Sequence, residues 1–246
     1  MAGDLEALGG GSVAAHGDAG DAGDAFVLEN PWLLRAALAG GQLQARLGSM
    51  VAYQGEVAFE RSRPGLKRLF KRALTTEGGR LMRVSGTGEV FLAHLAQQVY
   101  RLRLEDEQVT CNSRHLLAFE EGIEWDIRRV RRGLAGKVAG GLFNTHLTGT
   151  GWVALVSEGR PVLLRPADAP TYADPRAAVA WSGGLETAFR TDFQARTLIG
   201  LGSGESVQME LKGDGWVLVQ PSEGSPAGGG SRSRGGSGLL DLILGP

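Results

Sequence analysis

One cysteine and four histidines are the side chains of this chain that most often act as nucleophiles, general bases or zinc ligands. Cys111 would be a nucleophile only with a neighbouring base and a lowered pKa. His115 follows four residues later, but the segment from Cys111 to Ser113 is typical of a turn between strands, and no acid that would orient the histidine is identifiable. We therefore predict an inert thiol.

The histidines lack the spacing of a zinc site. Such a site needs three or four converging ligands and commonly includes one closely spaced pair. The four residues are His16, His94, His115 and His146. We predict that each is solvated or hydrogen-bonded locally.

A group of acids, Glu120, Glu121 and Glu124, has the composition of paired carboxylates that act as general acid and base or hold a divalent cation. These acids flank Gly122 at an expected turn, where carboxylates are commonly solvated. We predict a solvated turn. The chain therefore offers no catalytic, metal or cofactor site, and we expect a protein that is not an enzyme.

Two clusters of basic residues are the strongest functional signal. They contain Lys67, Arg68, Lys71 and Arg72, and then Arg128, Arg129, Arg131, Arg132 and Lys137. Around the first cluster, leucines recur at helical spacing from Leu66 to Leu74, which predicts a short amphipathic helix. Leucines with lysines and arginines are typical of adhesion to an anionic membrane surface or an acidic protein. In the alternative, the leucines cap the core and the charges only solvate it.

Two tryptophans, Trp152 and Trp216, each precede a valine, Val153 and Val217. Neighbouring residues of a strand point to opposite faces, so we expect the valines in the core and the indoles over a groove or subunit contact. The alternative is a stacking platform for a small ligand or single-stranded RNA, which normally also needs a cationic groove. A net charge of −1 makes nucleic acid an improbable partner.

The tryptophans belong to a segment that occurs three times, at 85–92, 148–155 and 212–219. Each copy contains Gly-x-Gly and then a valine, and the first glycines are spaced 63 and 64 residues apart. About thirty residues upstream of each copy lies a second marker, an alanine followed by an aromatic residue. These alanines are Ala52, Ala118 and Ala180. Two markers with one period predict an internal triplication.

The pattern between the markers is that of β-strands. Apolar residues alternate with polar ones at 100–105 and 207–212, so each segment has one apolar face and its intervening polar residues lie on the other, which predicts half-buried strands of an antiparallel sheet. Each Gly-x-Gly is interpreted as a tight hairpin between two strands, because glycine tolerates positive φ. A phosphate-binding loop would instead lead into a helix.

The tails differ in composition from the centre. Residues 1–25 are rich in Gly, Ala and Asp and are predicted to be a disordered acidic tail. The triplicated domain is expected at 26–220, with repeats at about 42–104, 105–168 and 169–220. Residues 221–246 form a Gly/Ser linker that ends in an apolar segment, 239–244. We expect that segment to dock on the domain; docking on a partner or membrane is the alternative.

The amino-acid composition favours one cellular compartment. A single cysteine excludes an internal disulfide and suits a reducing cytoplasm. No stretch has the roughly 20 apolar residues that span a bilayer, and the N-terminus lacks the basic and apolar regions of a secretory signal. We expect a cytoplasmic protein.

The segment 50–59, Met-Val-Ala-Tyr-Gln-Gly-Glu-Val-Ala-Phe, together with the repeated Gly-x-Gly-x-Val, resembles the altered-inheritance-of-mitochondria protein 24 family over roughly 26–220. The resemblance implies a fold similar to the tryptophan RNA-binding attenuator protein, a shortened double-stranded β-helix, here triplicated with pseudo-threefold symmetry. Mitochondrial members are linked to inner-membrane organisation, but no Arg-rich transit peptide is present here. The family has no catalytic signature.

These observations favour an all-β, non-enzymatic binding or scaffold protein. Its basic connections are expected to contact an anionic membrane surface or an acidic protein. The alternative is a module that binds a small ligand or single-stranded RNA. Self-association into a homo-oligomer, through exposed strand edges or the repeat ends, is a further alternative.

Overall fold

The computed structural model describes residues 12–14, 24–61, 81–129, 143–190 and 208–222. Across these ranges the chain forms antiparallel β-sheets, and its helical structure is limited to a 3₁₀ turn at Ser113–His115. The prediction of an all-β antiparallel fold is confirmed. The amphipathic helix predicted around 66–74 and the apolar segment 239–244 lie outside the described residues. Within these ranges, no helix is both long and apolar enough for a transmembrane span.

The strands differ widely in length, from three residues to fifteen. The first half contains β1 (Ser12–Ala14), β2 (Phe26–Asn30), β3 (Leu33–Arg46), β4 (Met50–Arg61), β5 (Leu81–Leu92), β6 (Gln98–Asn112) and β7 (Leu116–Glu120). The second half contains β8 (Ile123–Arg129), β9 (Phe143–Ser157), β10 (Val162–Leu164), β11 (Thr171–Ala173), β12 (Ala178–Ser182), β13 (Glu186–Arg190), β14 (Gln208–Lys212) and β15 (Val217–Val219).

These strands form two sheets. The larger sheet has the order β10-β15-β12-β6-β9-β7-β3-β5-β4, with β1 paired to β6, β2 to β3 and β8 to β9. The smaller sheet has the order β11-β14-β13. Strand β4 is thus at one end of the larger sheet, and β11 is at an edge of the smaller one.

The N-terminal segment corrects one prediction. Residues 1–25 were expected to be disordered, yet Ser12–Ala14 pairs with Arg101–Arg103 of β6, and Asp24 forms an ion pair with Arg101 at 3.1 Å. Backbone hydrogen bonds to an unpaired strand edge order this short segment, although its composition offers little apolar surface to bury.

The glycine motifs correct a second prediction. Gly86 and Gly88 lie inside the continuous strand β5, and Gly149 and Gly151 lie inside β9, so neither pair forms a hairpin turn. All four have positive φ, from 127° to 150°, as expected for glycine. The third pair lies between β14 and β15, again with positive φ. The glycines therefore mark corners at which strands bend or break.

The bend is visible in β4. The rings of Tyr53 and Phe59 contact each other edge to face, with centroids 5.3 Å apart. In a straight strand these positions would be about 20 Å apart, at roughly 3.3 Å per residue. Gly55, with φ of 98°, lies between them and opposite Gly88. Two successive halves of one strand therefore face each other across the corner.

The same strand register occurs at three places. Ala52 pairs with Phe91, Ala118 with Ala154, and Ala180 with Leu218. In each case the marker alanine lies opposite the residue three positions after the second glycine. The two sequence markers are therefore neighbours in the sheet. The repeat boundaries expected near 42 and 104 fall inside the continuous strands β3 and β6.

The core corrects the expected alternation of faces. Leu102, Leu104, Met209 and Leu211 are buried, as predicted, but Arg101 and Glu210 are also buried. The polar face of β6 is covered by Phe26 and Trp152, which no local pattern could show. The polar faces of these strands are therefore buried at Arg101 and Glu210, while Glu105, Gln208 and Lys212 are exposed.

Candidate functional site

The basic clusters are attached to corresponding hairpins. Strands β4 and β5 pair as far as Arg61 and Met82, and β8 and β9 pair as far as Arg129 and Phe143. The segments 62–80 and 130–142 connect these strand ends. Seven predicted partner-binding residues lie outside the described part: Lys67, Arg68, Lys71, Arg72, Arg131, Arg132 and Lys137. The structure therefore fixes where both basic connections begin and end.

Arg128 and Arg129 are the two members of the basic clusters inside the described ranges. Both lie at the C-terminal end of β8. The side chain of Arg128 is 64% exposed, and its Nε donates to Asp126 at 3.0 Å. An ion pair this exposed contributes little to stability.

Trp152 does not offer an open face for stacking. The guanidinium carbons of Arg101 and Arg103 lie 4.5 and 5.5 Å from its ring centroid. Its backbone N–H donates to the Glu120 carboxylate at 2.6 Å, and Nη1 of Arg103 donates to the same oxygen at 3.3 Å. Cations over the indole are favourable contacts, and a base or small ligand that stacked on Trp152 would compete with them.

Trp216 is buried, as are Val153 and Val217. Its backbone N–H donates to Oγ of Ser182 at 2.9 Å. The predicted burial of the valines is correct. Trp216 lines a cleft with Gln108 and Gly183, but with only 6% of its surface exposed it cannot act as a stacking platform.

Cys111 lies within strand β6 rather than in the predicted turn, which begins after it. Burial raises the pKa of its thiol to about 12, so the thiolate is scarcely populated at neutral pH. His115 is also buried, and desolvation lowers its pKa to about 4. Its Nδ1 is hydrogen-bonded to the Val156 carbonyl at 2.9 Å, so it holds the backbone and does not pair with the thiol.

This geometry predicts a thiol that reacts only after unfolding. Cys111 should react with a water-soluble disulfide reagent at least about a hundredfold more slowly in the native protein than in guanidinium chloride, because the thiolate is the nucleophile and it is inaccessible here. Thiol titration at pH 8 with and without denaturant measures this. Equal rates in both states would contradict the burial of Cys111.

The remaining ionisable candidates do not converge. His94 and His146 are half-buried, and desolvation lowers the pKa of each; His16 lies outside the described residues. Glu121 and Glu124 are exposed, as predicted, whereas Glu120 is half-buried and bound to Trp152. In the described ranges, no group of three or more His, Cys, Asp or Glu side chains is placed to hold a metal ion.

The surface that sequence reasoning missed is the first half of β4. Met50, Val51 and Tyr53 are exposed, at 38%, 59% and 49%. A strand edge with exposed large apolar residues is a common site of pairing with another strand. The segment had been identified as a family marker, but its sequence alone does not reveal which of the three similar segments lacks a covering strand.

Known proteins share this fold. Residues 28–222 match the family described as mitochondrial biogenesis AIM24. A crystal structure of a protein from Streptococcus pyogenes superposes with a TM-score of 0.63 at 22% identity, covering 80% of this chain and 92% of that one; this likeness concerns the fold alone. No curated protein matches the chain. Because the match covers most of its length, the chain belongs to the mitochondrial biogenesis AIM24 family.

Proposed function

We propose that this member of the AIM24 family is a non-enzymatic binding or scaffold protein that contacts an anionic surface, a membrane or an acidic protein, through its two basic connections. The observation that carries the proposal is the shared position of these connections. Each joins the ends of an outer hairpin, β4–β5 or β8–β9, beyond the last paired residues. The described strands therefore bring both basic connections to the ends of hairpins.

The charge at these ends extends into the described strands. Arg61 and Arg128 are exposed at the ends of β4 and β8. In the third hairpin, β13–β14, Arg190 is the last residue of β13, and its Nε donates to buried Glu210 at 2.7 Å. A carboxylate of the paired strand β14 thus binds the arginine at the third end. We expect the other two ends, at Arg61 and Arg128, to meet the anion, because each basic residue near an anionic membrane contributes about 1 kcal/mol.

The side chains capable of chemistry favour binding over catalysis. Cys111 and His115 are buried, and the pKa of each is shifted away from the value that a nucleophile or base would need near pH 7. The aromatic cluster at Trp152 is closed by guanidinium groups. A scaffold role in the cytoplasm agrees with these features, and we propose that location.

We also propose that the domain is a triplicated, shortened double-stranded β-helix similar to the attenuator protein. Three places with the same register and three glycine pairs with positive φ support the triplication. Strands from all three proposed units follow one another in the larger sheet, which supports a side-by-side arrangement. Because only two of the three connections carry a basic cluster, we expect the bound partner to lack threefold symmetry.

Charge reversal tests the functional proposal. The variant with Arg128, Arg129, Arg131 and Arg132 replaced by glutamate should lose at least about tenfold in affinity for vesicles with anionic lipid, or lose its acidic protein partners in a pull-down, because attraction between exposed charges is removed. Vesicle flotation and pull-downs at low and high salt measure the two cases separately.

A matched control keeps the net charge equal. Four exposed or half-exposed arginines elsewhere, Arg83, Arg160, Arg165 and Arg176, are replaced by glutamate in the control variant. It should retain binding if position matters, and unfolding curves should show that both variants are folded. Binding that is unchanged in the first variant, or lost equally in both, would refute a role for the basic connections.

A further inference from the structure

We propose that copies of this chain associate head to tail, with the outer edge of β4 in one copy paired to the outer edge of β11 in the next. This interface is separate from the basic connections and goes beyond the proposed binding function. It follows from a comparison of three strand segments that share one register but differ in burial.

The segment at the start of β4 is the exposed member of a set of three. Its counterparts are β7 and β12, because all three place the marker alanine opposite the same position of the neighbouring strand. Residues 116–119 of β7 and 178–181 of β12 are buried throughout. Residues 50–53 of β4 are exposed throughout. Similar sequences in the same register thus have opposite environments.

The difference has a structural cause. The outer edge of β7 is covered by β3, with Gln44 opposite Phe119, and the outer edge of β12 is covered by β6, with Thr110 opposite Trp181. Across the described ranges, β4 pairs with β5 alone. Backbone groups along an open edge and the apolar residues beside it are the components of strand addition.

The chain carries the covering segment that β4 lacks. Tyr172 of β11 pairs with Glu210, as Gln44 pairs with Arg83 and Thr110 with His146. By this register β11 corresponds to the covering halves of β3 and β6. Its outer edge is unpaired within the described ranges.

The expected register can be transferred directly. Leu43, Gln44 and Ala45 lie opposite Glu120, Phe119 and Ala118. The equivalent arrangement pairs β11 and β4 as Thr171 with Gln54, Tyr172 with Tyr53, and Ala173 with Ala52. Tyr172 and Tyr53 are 46% and 49% exposed, and a cross-strand aromatic pair would bury both.

A second copy is the occupant that the topology favours. The two open edges belong to different sheets. The edge of β4 corresponds to strand edges that are covered elsewhere in the fold, and β11 corresponds to the segments that cover them. Since β4 and β11 are not paired with each other among the described strands, we expect their edges to join different copies. Such a contact is heterologous, and it closes into a ring or continues as a filament according to the rotation between neighbours. Pairing would also remove the exposure of Met50 and Val51.

Disulfide trapping tests this pairing. Directly opposite residues have Cβ atoms about 4.5–5.5 Å apart, close enough for a disulfide after small adjustments. A mixture of the single variants Tyr53→Cys and Tyr172→Cys should yield a crosslinked dimer under mild oxidation, whereas neither variant alone should. Buried Cys111 does not compete. A mixture of Tyr53→Cys with Val162→Cys, a 55% exposed residue of β10, is the matched control.

Each other result overturns the proposal. A dimer from Tyr53→Cys alone would show β4 pairing with β4. In a chain that carries both Tyr53→Cys and Tyr172→Cys, an intramolecular disulfide would show closure within one chain. Light scattering supplies an independent measurement: the wild type should exceed the mass of one chain, Tyr53→Lys should be monomeric, and Leu95→Lys, changed at an 82% exposed turn residue, should match the wild type. A monomeric wild type at all concentrations would also refute the proposal.

Discussion

Replacing Gly88 with alanine should destabilise the protein by about 3 kcal/mol. Gly88 has φ of 147° and lies between β3 and β4 in the sheet. A Cβ at this position would be 2.0 Å from the backbone oxygen of Gln54, and backbone cannot move aside without breaking the β4–β5 ladder. Guanidinium-induced unfolding followed by circular dichroism measures the change.

Gly41→Ala is the matched control for Gly88→Ala. Gly41 lies in β3 at its own corner, and a Cβ there meets no atom within 4 Å. Its substitution should change the free energy of unfolding by less than about 1 kcal/mol, because alanine also restricts the unfolded chain. If Gly88→Ala is as stable as Gly41→Ala, the corner does not depend on the absence of a Cβ.

The glycine corners show how far local sequence rules extend. The spacing of the three Gly-x-Gly pairs was sufficient to find them and to predict positive φ. The rules for short turns then favoured hairpins, because a glycine between two apolar runs most often ends a strand. In β5 and β9 the strand instead continues, since neighbouring strands bend at the same level through Gly40, Gly55 and Asp106. Whether neighbouring strands bend at the same level depends on how the whole sheet is assembled and not on one segment of sequence.

Long-range partners explain the remaining differences. The alternation at 100–105 placed Arg101 in solvent because nothing nearby in sequence could cover it. Its covering residues are Asp24, 77 positions away, and Trp152. Likewise, the similar sequences at 50–53 and 116–119 do not reveal that only the second has a strand beside it. Both facts depend on which strands become neighbours.

Arg101 is expected to be the charged residue on which the fold depends most. Its side chain is 1% exposed, Nη1 donates to Asp24 and to the Phe26 carbonyl, and the guanidinium lies over Trp152. Arg101→Ala removes all three contacts and leaves a cavity, so the free energy of unfolding should fall by about 3–5 kcal/mol. Because the site is buried, this loss should change little between 0.05 and 1 M NaCl.

The position of Arg35 in the sheet supplies the control. Arg35 lies opposite Phe91, and Arg101 lies opposite Ala154. Phe91 and Ala154 are each three residues after the second glycine of their pair, so the two arginines occupy equivalent positions. The ion pairs of Arg35 with Glu29 and Glu89, however, involve carboxylates about 40% exposed. Arg35→Ala should therefore cost at most about 1 kcal/mol, and less at high salt.

A third variant, Arg101→Met, restores the apolar volume without the donors. It should remain about 1–2 kcal/mol less stable than the wild type, because the Phe26 carbonyl stays unpaired. Full stability of Arg101→Met would mean that Arg101 acts only by filling space, and losses as large for Arg35→Ala as for Arg101→Ala would mean that burial does not set the cost.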